Sequence, residues 1–154
     1  MNLAFETIKQ FFSEDEWFFV EEEDKSVSAL QLRMNHWGEN GRFSCMAEYN
    51  EKQRIFYFYS YFPINIPPEK RAKMAEFITR VNYGMRIGNF EMDIEDGELR
   101  FRTSIDFENS DLTYPLVSNH VYPNVWMMDR YLPGLFSVVY SEKSPEEILL
   151  TIEG

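Results

Sequence analysis

The chain has 154 residues, enough for one domain over residues 1–154, and a domain of that size buries roughly 70% of the surface its unfolded chain exposes. Its 26 acidic and 15 basic side chains give a net charge of −11, which repels polyanions and argues against nucleic acid as a partner. One cysteine excludes an internal disulfide, and no apolar run approaches the ~18 residues that cross a bilayer, so a reducing, cytoplasmic setting without membrane or signal segment is expected.

Residues 2–13 read as a short amphipathic helix with Asn2 as its cap and Phe5, Ile8 and Phe12 on its apolar stripe. Trp17 to Val20 read as a compact strand ended by Glu21-Glu22-Glu23-Asp24. The seven acids between Ser13 and Asp24, without a single base, read as solvated turns; a docking patch or metal site is the sharper alternative, but the ligand spacing of a calcium loop is absent. Ser26 to Asn35 alternates weakly, and 36–41 form a turn. Phe43, Cys45, Ala47 and Tyr49 alternate with polar neighbours at strand period. Cys45 on that apolar face reads as a small buried hydrophobe. Arg54 to Phe62 is an aromatic strand expected at the centre of the sheet and covered on both faces; its tyrosines either fill core or line a ligand cavity.

Pro67 and Pro68 open a helix in which Met74, Phe77, Ile78, Val81 and Met85 form one apolar face. Its other face carries Lys70, Arg71, Lys73 and Arg80. Bases at a helix N-terminus oppose the macrodipole, so they mark either a docking surface or plain solvated charge. Next comes a hairpin. Asp96-Gly97 reads as a two-residue type I′ turn, which sets Ile94 against Leu99, Met92 against Phe101 and Phe90 against Thr103. On the opposite face, Asp93 then meets Arg100, and Glu91 meets Arg102. A final helical region, 113–140, contains Pro123 and Pro133 and is expected to break into two or three angled segments. Ser144-Pro145-Glu146-Glu147 caps a last short helix.

The order α-β-β-β-β-α-β-β-α, with five to six antiparallel strands packed on helices, makes an α+β domain. The two histidines, His36 and His120, lie outside any zinc spacing, and neither a nucleophile elbow nor a phosphate-cradling glycine loop is present. No catalytic, cofactor or metal residues are therefore assigned and no enzyme is expected. Lys70, Arg71, Lys73, Arg80, Arg100 and Arg102 are the candidate interaction surface. A small hydrophobic-ligand binder of the helix-grip type, using the aromatic sheet, is the alternative.

Arg80-Val81-Asn82, Ile87 through Asp93, the Gly97 to Arg102 strand and Asp129-Arg130-Tyr131-Leu132-Pro133 together resemble the YbjN family. The resemblance covers essentially the whole domain, and its motifs are scaffold residues. It implies a fold similar to the bacterial type III secretion chaperones, a regulatory or chaperone-like role without established catalytic residues, and a homodimer that binds another protein.

Overall fold

The computed structural model describes residues 2–154. Its elements are α1 (Leu3–Glu14), β1 (Phe19–Asp24), β2 (Ala29–Trp37), β3 (Arg42–Asn50), β4 (Ile55–Tyr61), a 3-10 turn (Pro68–Lys70), α2 (Arg71–Asn82), β5 (Asn89–Met92), β6 (Leu99–Asp106), α3 (Tyr114–Tyr140) and α4 (Pro145–Glu153). Six antiparallel strands form one sheet in the order β1-β2-β3-β4-β6-β5, giving the expected α+β architecture. No described helix is long and apolar enough to cross a membrane.

The helices pack on one face of this sheet. Each strand turns alternate residues toward them: Leu30, Leu32 and Met34 from β2, Phe43, Cys45 and Ala47 from β3, Phe56 and Phe58 from β4, Leu99 and Phe101 from β6, all buried. Against these lie Phe5, Ile8, Phe11 and Phe12 of α1 and Val117, Val121, Val125, Met128, Leu132 and Leu135 of α3. The tyrosines of β4 point the other way, so this central strand, expected to be covered on both faces, has a packed face and an uncovered one, because all the helices pack on the same side of the sheet.

Four further expectations need correction. The acids Glu21 to Asp24 lie within β1 rather than ending it, because β1 is an edge strand whose exposed side chains face water. Charge along such an edge also discourages pairing with another chain. The hairpin register is offset by two: Phe90 faces Phe101, Met92 faces Leu99 and Glu91 faces Arg100. Each strand keeps its apolar face, since the offset is even. The cause is a longer connection. Asp93 N donates to Glu98 O and Gly97 N to Asp93 O, while the Asp93 and Asp96 carboxylates accept from the backbone N–H groups of Glu95 and Glu98. Of Asp96 and Gly97, Gly97 alone takes positive φ, +81°. Third, α2 ends at Asn82, so Met85 lies in the following loop.

The fourth concerns α3, which runs unbroken through both prolines. Pro133 cannot donate to the carbonyl of Asp129, four residues back, and Asn40 Nδ2 fills that acceptor at 3.0 Å. Near Pro123, the His120 carbonyl accepts from the Thr103 hydroxyl. Neighbouring side chains thus supply donors where the proline rings disturb the ladder.

Asn124, one residue after Pro123, is fully buried and ties α3 to the two central strands. It accepts from Ser60 Oγ at 2.6 Å and donates to the carbonyls of Phe58 and Phe101 and to Thr103 Oγ1 at 2.8, 3.1 and 3.1 Å. Farther along α3, the Asp129 carboxylate accepts from the backbone N–H groups of Glu39 and Asn40 at 3.1 and 2.9 Å, fastening the β2–β3 turn. A side chain at Gly38 would collide with that carboxylate.

Candidate interaction surface

Each of the six expected surface bases is engaged inside the fold. Lys70 and Lys73 reach across from α2 and donate to the Ser141 carbonyl at 3.3 and 3.0 Å. Ser141 caps α3, so these ammonium groups sit at the negative end of the longest helix dipole. Their placement is unfavourable to their own helix and favourable to its neighbour. Arg71 donates to the carbonyls of Ile66, Ile94 and Glu95, pinning the β5–β6 turn to the start of α2. Arg80 pairs with Glu76 and Glu146 at 2.9 and 3.1 Å.

Arg100 and Arg102 lie on β6, on the uncovered side of the sheet, and share Glu91 at 2.6 and 3.3 Å. Asp93, expected to pair with Arg100, instead closes the turn. The six residues therefore divide between the helical layer and the opposite sheet face, and do not converge on one site.

That open face is the larger surface. Tyr57, Tyr59 and Tyr61 form a ladder along β4 with ring centroids 6.0 and 6.1 Å apart, and the Arg100 guanidinium stands 4.2 Å over Tyr59. Burial pushes the Tyr59 hydroxyl up to about 12, while the Arg100 charge pulls the other way. The pairing register aligns Val20, Arg33, Met46, Tyr59 and Arg102 in one row across the sheet. Beside this row, Phe18, Val20, Met46 and Tyr61 border a shallow depression of about 530 Å³. Phe18 is 90% exposed. Both signs occur on each side of this face: Glu22 and Glu48 lie on the β1–β3 side with Arg33, which is bridged to Glu22 at 3.7 Å, and Arg100 and Arg102 lie on the β6 side with their shared partner Glu91.

The alternation of Tyr57, Tyr59 and Tyr61 is legible in the sequence, but which face of β4 stays bare depends on where α1 and α3 pack. The two histidines are placed structurally. His36 stacks on Trp17 with centroids 5.5 Å apart, and burial holds its imidazole below the ordinary value while Asp129 pulls the other way. His120 Nδ1 lies 2.7 Å from the Leu116 carbonyl of its own helix. Among the described residues, no group of three or more His, Cys, Asp or Glu side chains is arranged to hold a metal ion.

The space between the sheet and α3, which a helix-grip binder would keep open for a ligand, is occupied by Phe58, Phe101, Asn124, Val125 and Met128, all fully buried. A family model described as "YbjN: Putative bacterial sensory transduction regulator" matches residues 4–136. No curated protein and no solved structure matches the chain.

Proposed function

The chain belongs to the YbjN family, and from that premise we propose that it is a non-enzymatic, protein-binding module of the regulatory or chaperone-like kind that pairs as a homodimer in the cytoplasm. The observation that supports this reading is the one-sided sheet. Helices cover one face, while the other presents a tyrosine ladder, Met46 and an exposed apolar edge at Phe18 and Val20. Aromatic and Met side chains within a polar rim are the composition favoured at the centre of protein interfaces.

The mix of acids and arginines on that face, which makes it self-complementary, supports a second copy as one occupant. Steric and electrostatic disruption at the centre of the face should therefore act on assembly and leave the fold intact.

Native mass spectrometry of protein purified gently from its own host tests the reading. The expected spectrum is a dimer carrying a further polypeptide, with Met46→Glu giving a monomer of unchanged circular dichroism. A monomer carrying only a small-molecule adduct would overturn it in favour of the ligand-binding alternative.

A further inference from the structure

The loop between α2 and β5 arches over α3 between two glycines of positive φ, Gly84 at +83° and Gly88 at +78°. Below it opens a groove of about 370 Å³ whose floor is Val81, Met85, Pro123, Met127 and Tyr131. That volume falls at the lower end of ligand-binding clefts and accepts one or two bulky apolar side chains.

The rim is basic. Arg86 and Arg130 both line the groove, both are exposed, and neither has a carboxylate within salt-bridge distance among the described residues. The guanidinium of Arg130 leans on the Tyr131 ring, 5.2 Å from its centroid. The acid at the groove, Glu153, already accepts a hydrogen bond from the Tyr131 hydroxyl. Acids outnumber bases 26 to 15 in the chain, so a rim with two arginines and one acid departs from the overall balance. The two arginines give a cleft with an apolar floor and a local positive field inside a repulsive negative one.

We infer that this groove docks a short segment of a partner protein in which one or two bulky apolar side chains are flanked by Asp or Glu. The inference rests on the protein-binding reading above and adds the chemistry of the partner. The apolar side chains fill the floor, and the carboxylates form the forked, charge-assisted pairs that guanidinium groups favour. Glu153 at one end disfavours an acid there, which gives the segment a direction.

The test is selection from a random twelve-residue peptide display library on the immobilised wild-type protein, followed by fluorescence anisotropy with the enriched peptides. Expected consensus sequences combine Leu, Phe or Trp with Asp or Glu, and their affinity falls on the order of tenfold or more in Arg86→Glu/Arg130→Glu, with unchanged circular dichroism and native mass. Raised salt should weaken wild-type binding in the same direction. Failure to enrich, a basic consensus, or binding indifferent to the double variant would each overturn the groove assignment. In all three cases the native mass spectrum, by showing a dimer with a further polypeptide or not, decides the broader reading separately. Concentration-dependent growth beyond the dimer, abolished by the same double variant, would assign the groove to the acidic β1 edge of another copy and overturn a foreign partner. Saturable binding of decanoate without any peptide binding would assign it to a small amphipathic acid, with the same consequence.

Discussion

Asn124 is the residue on which the placement of α3 turns. Both ends of its amide are occupied, and its partners Ser60 and Thr103 are themselves buried polar groups on separate central strands. Replacing it with Leu keeps much of the volume but takes from Ser60 its amide acceptor, and from Thr103 and two carbonyls their amide donor, away from water. Removing one member of such a network costs more than one average hydrogen bond, so Asn124→Leu should lower stability by about 2–4 kcal/mol in equilibrium denaturation. An unchanged denaturation midpoint would mean that apolar packing alone holds α3. Its neighbour Cys45, with Sγ 3.5 Å from Ser60 Oγ, has a thiol that burial pushes up to about 12. It should react with a thiol-directed reagent at the rate of global unfolding and no faster. Rapid labelling under native conditions would show that this part of β3 opens locally. The alternating pattern around Cys45 makes its burial legible in the sequence. Asn124 is not legible there, because its value depends on two distant strands meeting one turn of a helix.

At the scale of elements, the β5–β6 hairpin shows how far a local signal reaches. The alternation of Phe90, Met92, Leu99 and Phe101 fixes which face each strand buries, and the structure keeps those faces. The register does not follow, because Asp96-Gly97 is part of a longer turn held by Arg71 of α2. Tertiary contacts, absent from the local letters, choose the turn length. Gly97 itself remains indispensable: it takes positive φ, and a Cβ there would collide with the Ile66 backbone. Gly97→Val should therefore cost more than about 2 kcal/mol, beyond the conformational penalty of a β-branched residue alone. Thermal unfolding of the purified variant measures this, and an unchanged melting temperature would mean that the loop rearranges without penalty. Asn82 shows the same dependence on context. Its amide donates to and accepts from the Phe90 backbone at 2.9 and 2.8 Å, covering part of the β5 edge as a paired strand would. Asn82 is legible as a motif residue, but this task is not, since it requires the helix end to lie beside the strand.

For the whole molecule, the tyrosines set a limit at alkaline pH. Burial pushes the hydroxyls of Tyr59 and Tyr131 up to about 12, and the bond Tyr114 donates to Asp15 raises it to about the same value. Burial likewise raises Tyr49, Tyr61 and Tyr122. In the unfolded chain these phenols titrate near about 10. Below that pH both states hold the protons, so the stabilisation is fully present. Between about pH 10 and about pH 12 the unfolded chain loses them first, and the folded state then binds more protons than the unfolded one. Stability must fall as pH rises through this window. The melting temperature should accordingly stay level to about pH 9 and drop steeply by about pH 12, with the tyrosinate absorbance of the buried phenols appearing together with loss of structure. Tyrosinate near pH 10 in the folded protein that is lost in Tyr59→Phe, and so does not come from the exposed Tyr83 and Tyr140, would show that the ladder on the open face is fully solvated. That result would also weaken the case for the face as an interface, because the burial that raises Tyr59 is the same packing that makes its ring a preorganised contact surface. The two properties stand or fall together on one side of one strand.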